Sequence, residues 1–336
     1  MIWLTWRQFR GSAAMMAAVL VVLTATLALT GPKLASDYSA GIVGCAPDNT
    51  CLDFFDRFFG EYDLLFLALT LVVLLLPALV GLFWGAPLIT RELEAGTHLL
   101  VWNQSVTRGR WLAVKLGLTG LAAVAAAGVC GLAVTWWSAP LDRSAVPEMA
   151  QMAPVVFGAR GIAPMGYAAF AFVLGVTVGM LARRTLAAMA LTLAVFVTVQ
   201  IAMPLLVRPH LMPPVTGTFE LGRENIDGLG APQGGSLHIF LRTSAVPGHA
   251  GAWVLSSELV DPSRRTISSG DGGSGPSSTI VRAVPVSTTS GPCSPQGLPA
   301  GGCVAEINRL GYRQQATYQP LERFWPFQWI ETGIYT

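Results

Sequence analysis

Five uncharged apolar runs constrain this chain more than any other feature. They cover residues 11–30, 64–89, 116–137, 161–181 and 185–207, and none contains Asp, Glu, Lys, Arg or His. Each is about 20 residues or longer, the length an α-helix needs to cross ~30 Å of hydrocarbon. Charged residues make up 12% of the 336, about half the share of a soluble domain. Buried helices of a large soluble protein are the competing explanation, and five such runs in one chain argue against it. The net charge of +2 excludes the strongly basic face that nucleic-acid binding needs.

Lys and Arg in the flanks set the expected orientation. With the N-terminus in the cytosol, the inner segments carry Arg7, Arg10, Arg91, Arg108, Arg110, Lys115, Arg183 and Arg184, eight in all, while the two short outer loops carry four: Lys33, Arg57, Arg143 and Arg160. The first ten residues, MIWLTWRQFR, place Ile2, Trp6 and Phe9 on one helical face with Arg7, Gln8 and Arg10 elsewhere. That pattern predicts an amphipathic helix lying in the headgroup plane. A cleaved signal peptide is the alternative; the run is long for one, and no good small-x-small site follows it.

The composition changes after Val207. Gly, Pro and Ser supply 42 of the 117 residues in 207–323, predicting a loop-rich, poorly packed extracellular region. Strand-like stretches occur at 237–242, 253–259 and 279–286, with a flexible linker at 268–278. The segment 324–336, FWPFQWIETGIYT, is apolar and aromatic again and looks like the start of a sixth membrane helix. We expect that helix to be truncated here. The expected class is thus an all-α polytopic membrane protein. It has five complete transmembrane helices, the start of a sixth, an in-plane N-terminal helix, and a β-containing extracellular region before helix six.

Of the five cysteines, Cys45, Cys51, Cys293 and Cys303 fall on the predicted outside in two close pairs, and Cys130 lies inside the third run. An oxidising compartment favours disulfides, predicting Cys45–Cys51 and Cys293–Cys303, with crossed pairing as the alternative. The spacings match no zinc pattern.

The apolar runs hold no paired carboxylates and no HExxH, and the chain has no GxxxxGK[ST]. Intramembrane catalysis, ion-coupled transport and autonomous ATP use all lose support. The largest inner segment, 90–110, is therefore the informative one. Its mixed charge and apolar teeth suit docking into a groove on a partner; a solvated loop is an equal reading of the spacing.

The stretch RELEAGTHLLVWNQSVTRGRWLAVKLG at 91–117 resembles the cytoplasmic signature of actinobacterial permease subunits of ATP-binding-cassette (ABC) exporters, the type-2 ABC permease family. The N-terminal WLTWRQFR and the late YQPLERFWPFQWIETGIY are similar to the same subgroup. The resemblance implies a six-helix permease half that pairs with a separate ATPase subunit and with a second permease, identical or not. It implies a connecting helix over 1–10 carrying Trp3, Trp6 and Arg7, and transmembrane helices over 11–206. It further implies a coupling segment with Arg91, Glu92, Glu94, Gly96 and Thr97 against the ATPase. The chain itself would hold no cofactor and catalyse nothing, ATP and Mg being bound by the partner in the cell membrane. Helices two and five, with Thr70, Trp84, Thr198 and Gln200, are the expected substrate path. Its lack of charge suits a hydrophobic or amphipathic export substrate. A membrane-anchored binding or sensory protein working through its extracellular region is the rival reading.

Overall fold

The computed structural model describes residues 2–43, 50–94, 108–143, 149–230, 236–267, 279–294 and 300–336. They form two compact units. One joins Met1–Ser144, Pro154–Leu211 and Trp325–Thr336; the other joins Ala145–Ala153 and Met212–Phe324.

The first unit is helical. Helix α1 runs Ile2–Val43 and α2 runs Thr50–Val80; a single wide turn over Gly81–Gly85 then leads into α3, Pro87–Glu94. Helix α4 covers Arg108–Arg143, the short α5 Pro154–Gly158, α6 Ala163–Ala182 and α7 Thr185–Ala202. The last helix of this unit, Phe324–Tyr335, is numbered α9 in chain order. Five stretches are long and apolar enough to cross a bilayer: Met16–Val43, Phe54–Arg91, Leu112–Asp142, Ala163–Ala182 and Thr185–His210. Residues 2–10 are helical and continuous with α1, with no break at Gly11.

Two helices carry a wide turn at or after a proline, while Pro32 in α1 and Pro140 in α4 sit in regular helix. Pro77 lies inside α2, four residues before the wide turn, where the Ala86 amide donates to Gly81 O at 2.8 Å. Pro204 lies inside a second wide turn, Met203–Val207, at the end of α7.

Helix α6 packs against α2, the Gly81–Gly85 turn, α3, α4 and α7. Small residues allow the approach. A Cβ on Gly175 would sit 2.5 Å from Gly81 O, and one on Gly179 would sit 2.7 Å from Ala86 O. Gly81 and Gly85, like Gly175 and Gly179, are four apart and share a helix face. Lipid offers no hydrophobic drive to join helices, so such backbone approach is a main source of their association. Trp137 ties α4 to α1 by donating its Nε1–H to Thr30 Oγ1 at 2.9 Å.

The second unit holds two antiparallel three-stranded sheets. One has the order β1 (Val215–Phe219), β6 (Arg313–Gln319), β4 (Trp253–Val260). The other has the order β2 (Ile226–Gly230), β3 (Leu237–Arg242), β5 (Thr279–Val284). Helix α8, Ala300–Arg309, precedes β6. Strand β3 buries Leu237, Ile239 and Leu241 in strict alternation, in one core with Leu259, Val284 and Ile307. The half-cystine Cys293–Cys303 lies in that core. A second cluster gathers Val246, Ala252, Ala316 and Tyr318.

This corrects the expectation of a poorly packed region. Among the described residues, alternating apolar positions and a disulfide supply the core. Buried Gln314 is fully used as well. It accepts from Asn225 Nδ2 at 2.6 Å and donates to Ala245 O and Ser257 Oγ, both at 2.8 Å. Burying an amide costs little when each of its atoms has a partner.

Candidate coupling site and buried charge network

Helix α3 begins with Pro87, whose missing amide costs nothing in a first turn. Thr90 is buried and bonds back to Ala86 O at 2.6 Å, whereas Arg91 and Glu94 are exposed. Glu94 ends the helix and reaches the start of α7. One carboxylate oxygen accepts the Thr185 backbone N–H and the other the Thr185 hydroxyl, both at 2.7 Å. Thr90 Oγ1 stands 3.3 Å from that hydroxyl.

The residue that should cap α7, Arg184, makes no side-chain cap bond. The preceding Arg183 adopts φ 51°, a left-handed conformation uncommon for arginine, which lets α6 and α7 join through two residues. Glu94 therefore caps α7 from a different segment, placing a negative charge where the helix dipole is positive. The Thr185 hydroxyl bond, then its amide bond, then the nearby Arg184 and Arg91 charges hold the Glu94 carboxyl below its usual range.

A second cross-segment cap serves α6. Gln328 of α9 accepts the amides of Ile162 and Ala163 at 3.0 and 2.7 Å and donates to Phe157 O at 3.1 Å. Ile162, at the N-cap position, contributes no side-chain bond of its own.

Close to that cap, the helical unit buries two ion pairs. Arg208 lies just beyond α7 and is 2% exposed; Glu331 in α9 is 0% exposed. Arg208 Nε and Nη2 each donate to a Glu331 oxygen at 2.8 Å in a bidentate pair, and Nη1 donates to Pro154 O at 3.1 Å. Tyr167 donates its hydroxyl to Glu331, and the guanidinium stacks 4.3 Å from the Phe157 ring centroid. The second pair is Arg160 with Asp142 at 3.5 Å. Arg160 also donates to Val134 O at 2.8 Å and to Ser138 Oγ, and it lies over the Phe66 ring.

The sequence reading missed this network, because it looked for charge inside the five apolar runs, whereas Asp142, Arg160 and Arg208 lie beyond their ends and Glu331 lies inside the late segment 324–336. The signal available was Arg208 and Glu331, each immediately adjoining or embedded in apolar, aromatic sequence. A charge there is costly in lipid without a partner.

The expected substrate-path residues meet unlike surroundings. Thr70 and Trp84 are buried, and Thr70 Oγ1 has no hydrogen-bond partner among the described residues. Thr198 bonds back to Ala194 O at 2.8 Å on an exposed face. Gln200 accepts the Tyr335 hydroxyl at 2.7 Å, fastening α9 to α7. The side chains of Trp3, Trp6, Arg7, Glu92 and Cys51, and all of Cys45, Gly96 and Thr97, lie outside the described residues. Of the two expected disulfides, Cys293–Cys303 is formed. Among the described residues no cluster of His, Cys, Asp and Glu could hold a metal.

Five bilayer-length apolar helices, close glycine contacts between them and end-capping by distant side chains define a multi-pass membrane protein. Residues 17–208, more than half of the chain, match the family model described as ABC-2 membrane transporter related, and the chain belongs to that family. The family supports an ABC transporter membrane subunit, a transport component generally non-catalytic itself, and implies pairing with an ABC ATPase subunit. No curated protein and no solved structure matches the chain.

Proposed function

We propose that this chain is the permease of an ABC exporter, working with a separate ATPase subunit and a second permease copy or paralogue. The observation that carries the reading is the family match over residues 17–208. The N-terminus lies in the cytosol, as the flanking Lys and Arg favour. The segment 90–110 then faces the ATPase, and the second unit is extracellular, where the Cys293–Cys303 disulfide is chemically at home. Residues 1–10, with Trp3, Trp6 and Arg7, serve as the connecting segment, residues 2–10 being the first part of α1 and not a separate helix.

Contact with the ATPase rests on Arg91, Glu92, Gly96 and Thr97, and Arg91 is exposed at the end of α3; Glu94, expected in the same contact, has both carboxylate oxygens engaged by Thr185 instead. ATP binding to the partner moves this segment, and the paired permeases rock between inward- and outward-facing states. The apolar runs of the second and fifth spans carry no charged side chain, which supports a hydrophobic or amphipathic substrate such as a drug, an antibiotic or a lipid-like compound. ATP and Mg belong to the partner.

The test is co-purification from membranes that carry the tagged chain. The unmodified chain retains an ABC ATPase identified by its nucleotide-binding motifs, and Arg91→Glu with Glu92→Lys releases it. Retention by the charge-reversed chain removes the docking role, and absence of any ATPase from the unmodified complex removes the permease reading. Protease protection that places Arg183 opposite the ATPase overturns the orientation.

A further inference from the structure

Resting on that permease reading, we propose that Glu94 is a mechanical strap. It makes α3 and the start of α7 move as one piece, so that displacement of α3 by the ATPase is delivered to the fifth span. Glu94 is thus a positioning residue, distinct from the side chains that touch the partner.

Three observations converge on this. Both Glu94 oxygens are committed to Thr185, one to its amide and one to its hydroxyl, each at 2.7 Å. This fixes the carboxylate in two directions and leaves α7 dependent on another segment for its cap, since Arg184 supplies none. The adjoining backbone has little slack. The α6–α7 link is two residues, with Arg183 left-handed and its amide bonded to Gly179 O at 3.1 Å. Finally, α3 is pressed onto α6 at the same level, where a Cβ on Gly179 would come within 2.7 Å of Ala86 O and 3.0 Å of Thr90 Cγ2.

A push on α3 has three routes onward: backbone contact with α6, direct apolar packing on α7 where Ala86 and Ala188 share a cluster, and the Glu94 strap to α7. Apolar packing, like a backbone contact, bears a push and not a pull. A backbone contact resists compression and transmits no pull. A bidentate charge-assisted hydrogen bond resists both. The strap therefore carries the stroke in which α3 moves away from α7.

The experiment is hydrogen–deuterium exchange on the permease–ATPase complex in nanodiscs, nucleotide-free and after trapping with ATP, Mg and orthovanadate. In the unmodified complex, trapping changes exchange in both 87–94 and 185–190. Glu94→Gln and Thr185→Ala retain the ATPase and the 87–94 response, while the 185–190 response falls to a third or less. Glu94→Ala, which removes both acceptors, makes the Thr185–Ala188 amides exchange about fivefold faster before trapping, as expected for the loss of one helix cap, whereas Glu94→Gln and Thr185→Ala each keep an acceptor on the residue-185 amide and leave that rate unchanged. Thr185→Ser, which keeps the hydroxyl and the amide, retains the full response. The double variant Glu94→Gln/Thr185→Ala is no worse than either single one. A full 185–190 response in both single variants overturns the strap alone, as does loss of the ATPase on Glu94→Gln. An unmodified chain that retains no ATPase overturns the permease reading and the strap with it.

Discussion

Arg208 and Glu331 lie 123 residues apart in sequence and form a bidentate pair at 2.8 Å with both side chains out of solvent. Between them in the chain lie the strands of the second unit, so the pair closes the helical unit after a long excursion. Tyr167 and Pro154 O complete its hydrogen bonding, which is what makes a buried pair tolerable.

Removing one partner leaves the other charge buried and alone. Glu331→Gln or Arg208→Met is expected to destabilise the helical unit by about 3–5 kcal/mol. The double variant Arg208→Met/Glu331→Leu recovers most of that loss, because no uncompensated charge remains. Thermal unfolding in detergent, followed by size-exclusion chromatography, reads both; singles as stable as the parent would refute the lock.

Gln328 answers for the start of α6. Gln328→Leu has nearly the same volume but strands the amides of Ile162 and Ala163, at a cost of about 1–3 kcal/mol. Exchange of those two amides should accelerate while those at the middle of α6 do not. Uniform acceleration along α6 would point to general loosening instead.

Gly175→Ala and Gly179→Ala should each force α6 away from the Gly81–Gly85 turn and α3, since neither clash is with a flexible side-chain end alone. Overpacking of this kind costs about 1–3 kcal/mol. Gly117→Ala, with open space around its Cβ position, is the control and should show no destabilisation in the same melt, helix propensity favouring Ala by up to about 1 kcal/mol.

The Glu94 strap has a signed pH dependence. Its carboxyl is held below the ordinary value by Thr185 and by the nearby Arg184 and Arg91. Its stabilising contribution is therefore complete above the unfolded carboxylate range, near pH 4.3, and fades as the pH falls through the lower folded value. Protection of the Thr185 amide, corrected for intrinsic rates, should stay flat from pH 7 to pH 5. Loss of protection between pH 7 and 5 would contradict this assignment.

Reduction of Cys293–Cys303, which closes a separation of 10 residues, should destabilise the second unit by about 2–3 kcal/mol. Limited proteolysis with and without reductant measures it, and identical cleavage rates would show the bridge to be dispensable.

The apolar runs made the five spans plain, because 20 uncharged residues admit one low-energy structure in lipid. Their ends were less plain: the run 11–30 is part of a helix extending over Ile2–Val43. Strand β3 falls on the expected 237–242 because Leu, Ile and Leu alternate there. Strands β1, β2 and β6 left little trace. VTGTF and IDGLG are interrupted by glycine, and RQQATYQ is polar yet lies between β1 and β4 with Gln314 and Ala316 buried.

What the sequence by itself determined was local: which segments cannot remain in water, and that the four outer cysteines fall in two close pairs, of which Cys293–Cys303 is joined. Hydropathy and spacing are properties of neighbouring residues, so they survive without a fold. Only the tertiary structure decided that Glu94 caps α7, that Gln328 caps α6 and that Arg208 meets Glu331. Each joins a polar group to a partner 91 to 166 residues away, and what selects the partner is the cost of leaving that group unsatisfied once the helices have packed.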